Sequence, residues 1–75
     1  MINNIAIYHN KQRNYITVFA FSTETISMVT NAISRFGLKT KGEPRIGNKP
    51  GSLKFAVYTT RDYMNECLES IQNNS

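Results

Sequence analysis

Phe21–Leu38, FSTETISMVTNAISRFGL, is a helix with both of its ends written in residues. Ser22 or Thr23 can accept a backbone N–H from the first turn, which is the work of a cap residue. Glu24 follows where the helix dipole favours a negative charge. Ile26, Val29, Ile33 and Phe36 recur at helical spacing and form one apolar stripe. Gly37 suits the left-handed position past the last turn, and Leu38 beyond it can fold back on Ile33. Strand-like sequence lies on both sides, so the helix reads as the crossover of a β-α-β unit.

Working outward, Tyr15–Phe21 sets Ile16, Val18 and Ala20 on one face and Tyr15, Phe19 and Phe21 on the other, around Thr17. Both faces are apolar or aromatic, which places this strand in the interior of a sheet. Before it, Asn4–Tyr8 reads as a short first strand and HNKQRN as the polar loop that returns the chain. After the helix, Lys39–Ile46 is polar and interrupted by Gly42 and Pro44, the pattern of an edge strand with a bulge or bend. GNKPGS is a turn. Leu53–Thr59 then alternates Leu53, Phe55 and Val57 against Lys54, Ala56 and Tyr58, a half-buried strand. Thr59 or Thr60 caps a last helix, in which Met64, Cys67, Leu68 and Ile71 form the buried stripe.

The expected order is β-β-α-β-β-α. Residues 15–72 alone give β-α-β-β-α, most of a ferredoxin-like plait without its final strand. The expectation is an α+β fold with one antiparallel sheet and two helices on one face, because right-handed crossovers put both helices on the same side. The N-terminal strand is left to fill the vacant edge or to serve a partner.

Residues 1–75 read as a single domain, and a small one. A chain of this size buries only about 60% of the surface its unfolded form exposes. One cysteine and no metal-ligand cluster leave neither disulfides nor zinc to stabilise it. Self-association, most simply a homodimer, follows as an expectation. No segment approaches the ~20 apolar residues of a membrane span, and the N-terminus lacks a signal-peptide pattern. These point to a cytoplasmic protein with no membrane partner. The formal net charge is +4, which permits an anionic partner without demanding one.

No catalytic constellation is expected, nor any cofactor or metal. His9 reads as a solvated loop histidine without a partner carboxylate or thiol. Cys67 falls in an apolar stripe and reads as a core residue, while Glu66 and Glu69 flank that stripe as a solvated face. GEPRIGNKPG lacks the spacing of a phosphate-binding loop.

Two surface features carry more. Lys39, Lys41, Arg45, Lys49 and Lys54 gather in the hairpin between the helices, with Lys11 and Arg13 in the first loop. They could form a phosphate-binding surface, but the modest excess of charge favours protection of an exposed edge from aggregation. Tyr15, Phe19 and Phe21, joined by Tyr58, line the sheet face away from the helices. Such a face either stacks bases, as in RNA-binding plaits, or is buried against a protein. The absence of an RNP-type run favours the protein interface.

The residues also resemble a family, the ACT regulatory domain. ITVFAFSTETISMVTNAISRFGLKT is similar to its first strand, first helix and the glycine-hydrophobic lead into the second strand. EPRIGNKPGSLKFAVYTT is similar to its central hairpin, and RDYMNECLESI to its second helix. Together these cover about three quarters of the chain. The nearest likeness is to the short small subunits of acetohydroxyacid synthase, through Phe21, Glu24-Thr25 and Arg35-x-Gly37. Where amino-acid-binding members carry an Asp/Asn-x-Pro-Gly turn, this chain has Phe21-Ser22-Thr23-Glu24. The resemblance implies a non-catalytic regulatory module that docks on a larger enzyme subunit or dimerises. It places any small effector at Ser22, Thr23 and Glu24. A weaker likeness, through Ala20-Phe21 and GLKTKGEPRIG, runs to the NusE-type ribosomal protein and implies an RNA partner. A small adaptor or inhibitor that covers a host protein, for example from a virus, is a third expectation.

Overall fold

Strand β2 (Ile16–Ala20) organises the molecule, because its two neighbours bury both of its edges. The computed structural model describes residues 3–73. β1 (Ile5–His9) pairs with β2 in antiparallel register, with Ile7 opposite Val18. On the other side β5 (Leu53–Tyr58) pairs with β2, also antiparallel, with Phe55 opposite Val18. Two short pieces, β3 (Lys39–Thr40) and β4 (Arg45–Ile46), both pair with the far side of β5. The result is one open antiparallel sheet with β1 at one edge and β3 and β4 at the other.

Two helices cover one face, α1 (Thr23–Arg35) and α2 (Arg61–Asn73). Alternation along β2 and β5 sends Ile16, Val18, Ala20, Phe55 and Val57 into a core closed by Val29 and Ala32 of α1 and by Met64, Cys67 and Leu68 of α2. This α+β arrangement is compatible with a small plait-like fold. The element order is β-β-α-β-β-β-α, which differs from the expected β-β-α-β-β-α at one place. Lys39–Ile46 is one edge strand in two parts, because the chain leaves the ladder after the Lys41 amide bonds the Ala56 carbonyl at 2.8 Å. Gly42 then takes a positive φ of 77°, and Pro44 follows with no N–H to donate. Pairing resumes at Arg45 opposite Lys54. The vacant edge beside β2 is filled by β1.

The helix ends obey local chemistry. Ser22 caps α1: its hydroxyl accepts the Thr25 amide at 3.1 Å, and the Thr25 hydroxyl accepts the Ser22 amide at 3.0 Å. That reciprocal pair is a capping box with threonine in the place of the usual Glu or Gln. At the other end Gly37 has φ 64°, the Leu38 amide donates to Ile33 at 2.9 Å and the Gly37 amide to Ser34 at 3.4 Å. This is a Schellman ending. Thr60 caps α2 by accepting the Tyr63 amide at 3.1 Å. The centre of the buried face of α1 is Thr25, Val29 and Ala32, whereas Ile26, Ile33 and Phe36 pack half-buried at its margins. Val29 of the expected stripe is fully buried, with Thr25 and Ala32 beside it. The larger Ile26, Ile33 and Phe36, expected from spacing alone to be central, fill the flanks.

Strand limits shift slightly from expectation. The first strand runs one residue later, so His9 ends β1 as an exposed strand residue rather than a loop one. Among the described residues no helix is long and apolar enough to cross a membrane.

Candidate functional site

Among the described residues no element covers the face of the sheet opposite the helices, and the composition of that face follows from register. Tyr15 and Phe21 bracket β2, which adds Thr17 and Phe19 to this side. Across β1, Phe19 stands opposite Ala6 and Thr17 opposite Tyr8. Across β5, Phe19 stands opposite Lys54 and Thr17 opposite Ala56. Tyr58 faces Lys39, and Lys54 faces Arg45. Thr17 and Ala56 therefore form a floor of small residues, while Phe19 and Lys54 stand side by side on the two inner strands.

The rings touch in series. Tyr8 meets Phe19 edge-on at 5.6 Å between centroids, Phe19 stacks with Phe21 at 6.2 Å, and Tyr15 meets Tyr58 edge-on at 6.1 Å. Tyr8 is 60% exposed and Tyr58 41%, so these contacts do not remove the rings from solvent. The sequence-predicted group Tyr15, Phe19, Phe21 and Tyr58 is brought onto one surface. Tyr8 belongs to it as well and was overlooked. Its position two residues from Ala6 in an alternating strand was the available signal.

The cations reach the same rings. Lys41 Nζ lies 4.6 Å from the Tyr15 ring centroid, and Arg13 Cζ lies 5.6 Å from it. Arg13 Nη1 also donates to the Tyr15 hydroxyl at 2.6 Å. Lys49 Nζ lies 5.3 Å from the Phe21 centroid. Desolvation pushes the Tyr15 phenol up, but the Arg13 hydrogen bond and the charges of Arg13 and Lys41 outweigh it. The phenol therefore lies below its ordinary value of 10.0. A hollow of about 210 Å³ opens between Tyr15, Lys41, Arg45 and Lys54 over the floor of Thr17 and Ala56, with Glu43 at its margin.

Local turns hold these groups in place. In the first hairpin the Asn10 side chain accepts the Gln12 amide at 2.9 Å and its carbonyl accepts the Arg13 amide at 2.9 Å, turning Arg13 towards Tyr15. In the 47–52 turn, buried Ser52 donates its hydroxyl to the Lys49 carbonyl at 2.6 Å, and its carbonyl accepts the Gly47 amide at 3.0 Å. A Cβ at position 47 would overlap Ser52 Oγ, so any larger residue there must displace the Ser52 hydroxyl from its bond to Lys49. The turn carries Lys49 to Phe21.

Charge is partitioned through the molecule. Lys11, Arg13, Lys39, Lys41, Arg45, Lys49 and Lys54, with Glu43 alone against them, occupy the sheet and its loops. The helices carry Arg35 and Arg61 against Glu24, Asp62, Glu66 and Glu69. The net positive charge of the chain therefore resides on the sheet side.

The other sequence-predicted positions lie elsewhere. Ser22 and Glu24 line a separate cavity of about 240 Å³ at the start of α1, with Asn3, Asn4, Thr25, Met28 and Gln72. Thr23 is exposed beside it. The Thr25 amide there is already taken by Ser22. Cys67 is buried, and burial pushes its thiol up, further from the reactive thiolate. The chain matches no family model, no curated protein and no solved structure.

Proposed function

We propose that this protein binds single-stranded nucleic acid, RNA foremost, across the open face of its sheet. The observation that carries this reading is the position of Lys54. Edge protection accounts for Lys39 on β3 and Arg45 on β4, but Lys54 lies in β5, an inner strand, and lines the hollow beside Tyr15. Lys49 and Arg13 approach the rings from turns, again away from the edge ladder. A protein-docking surface is normally depleted of lysine at its centre. Rings with interleaved cations suit a strand whose bases stack and whose phosphates are neutralised.

On this reading Tyr15, Phe19, Phe21, Tyr58 and Tyr8 are stacking platforms, and Lys39, Lys41, Arg45, Lys49 and Lys54 contact phosphates. The strand arrangement is then that of a ferredoxin-like plait in which β1 takes the edge usually filled by a strand after the second helix. Fluorescence anisotropy of a labelled oligouridylate tests it. Binding is expected to weaken with salt, with a slope in log K against log salt of about −0.7 for each phosphate neutralised. A duplex of equal length is expected to bind more weakly because its bases cannot stack. Absence of a complex at low salt removes the reading.

A second reading keeps the ACT-type regulatory module, docking on a larger catalytic subunit. It is favoured by the cavity at Ser22 and Glu24, where a helix N-terminus suits a carboxylate. It is opposed there by the capping box and by the negative charge of Glu24. Calorimetry with branched-chain amino acids separates the two, since heat at millimolar concentration supports only the second.

A further inference from the structure

Among the described residues, β1 has a strand neighbour on one side only, β2. Phe21 donates its amide to the Asn4 carbonyl at 2.9 Å, so Asn4 and Phe21 form a hydrogen-bonded pair. Antiparallel alternation then turns the amides and carbonyls of Ala6 and Tyr8 towards β2 and those of Ile5, Ile7 and His9 outward. These outward groups run over five residues without a lysine, proline or bulge, the devices that blunt an edge. They are also symmetric about Ile7.

Above this edge lies a groove of about 580 Å³ between β1 and the Arg61, Asn65, Leu68 and Glu69 side of α2. Asn3 and Asn4 share a cavity with Gln72, so the end of α2 lies at the start of β1 and the two run in opposite directions. Arg61, Asn65 and Glu69 are successive i, i+4 positions on one helix face. Their charges are opposite at the two ends and symmetric about Asn65.

From these two coincident symmetries we infer that the partner of this edge is a second copy of the chain, joined through a two-fold axis beside Ile7. Ile7 exchanges its N–H and C=O with Ile7 of the other copy, and Ile5 does so with His9 of the other copy. The two α2 helices run antiparallel across the axis, and Arg61 of each copy meets Glu69 of the other. One surface patch thus complements itself, as an isologous interface requires. The joined sheets form one continuous surface and leave the aromatic face uncovered. The inference is independent of any nucleic-acid binding.

Sedimentation equilibrium of the whole chain tests it with four proteins: wild type, Arg61→Glu, Glu69→Arg and the double reversal. Wild type is expected at twice 8.6 kDa. Each single reversal replaces two attractions by two repulsions and is expected to raise the dimer Kd about tenfold at low salt. The double reversal restores it. Ile7→Pro removes an N–H that points away from β2, so circular dichroism is expected to keep the fold while the dimer is lost. Hydrogen exchange adds a readout independent of substitution: Ile5, Ile7 and His9 amides gain protection as protein concentration rises. A monomer at every concentration overturns the inference. A dimer that survives Ile7→Pro does so too, and a double reversal that fails to recover overturns the antiparallel meeting of the α2 helices.

Discussion

The two edges of the sheet are opposites. The β3–β4 edge is short, broken at residues 41–44, and carries Lys39, Lys41 and Arg45. The β1 edge is unbroken and uncharged, and lies beside a groove whose α2 wall carries Arg61, Asn65 and Glu69. Charge and chain breaks prevent strand addition at the first edge, because an incoming strand meets like charges and an interrupted ladder. They also place cations beside the open face. The second edge has neither device. Under the proposed function and the inferred dimer, the same sheet would meet a polyanion at one side and a second copy of the chain at the other. Position on an edge does not by itself tell what the edge does; the side chains and continuity of the ladder decide.

Substitutions on the two sides sharpen the contrast. The largest effect is expected under β1. Leu68 is buried between the groove and the core, and Leu68→Ala is expected to cost about 3 kcal/mol of stability in urea unfolding. A cost below about 1 kcal/mol would show that the groove collapses freely. Next comes ligand affinity at the other edge. Lys41→Ala with Arg45→Ala is expected to weaken oligonucleotide binding at least about tenfold and to reduce the salt slope by about 1.4, whereas Glu66→Gln on α2 leaves the slope unchanged. Equal effects from both would erase the distinction between the two sides.

Tyr15→Ala is expected to cost about 1–3 kcal/mol of binding, the worth of one stacked base. The same residue sets a pH dependence. Its phenol loses its proton below the ordinary value of 10.0, and the phenolate then neutralises Arg13 and Lys41 while repelling phosphate. Affinity is therefore full below that pKa and falls as pH rises through it. Tyr15→Phe is expected to flatten this part of the profile in an anisotropy titration; a profile unchanged by the substitution would acquit the phenol. Smaller again is the break itself. Gly42 has φ 77° and open space around it, so Gly42→Ala is expected to cost about 1 kcal/mol from backbone strain alone. At the bottom of the scale, Ile46 is 84% exposed although its strand partner Leu53 is half-buried. Ile46→Ser is expected to stay within about 0.5 kcal/mol of wild type. Thermal unfolding measures both.

Much of the fold was legible because its signals are local. The Ser22 cap, the Gly37–Leu38 ending and the alternation in Tyr15–Phe21 and Leu53–Thr59 each depend on residues a few positions apart. The same alternation correctly separated the aromatic side of the second strand from its core side. What escaped was set by proximity across the chain. Spacing could not rank Thr25 and Ala32 above Ile26 and Ile33 as the centre of the α1 contact, because packing against the sheet and α2 decides that. Tyr8 joined the aromatic face only through the pairing of β1 with β2. Register alone put Lys54 in an inner strand, and only the turns carried Arg13 and Lys49 to the rings.

The sequence by itself determined the two helices, their ends, the alternating strands and the chemistry available on each face. Those follow from backbone stereochemistry, capping and hydrophobic period, which act within a few residues. Only the tertiary structure decided that β1 fills the edge beside β2 and that β3 and β4 are one interrupted strand. It alone brought rings from β1, β2 and β5 onto one surface with cations from three loops and strands. The physical reason is that pairing partners and closest approaches are long-range choices, made by the burial of the shared core, and no window of local sequence contains both sides of the contact.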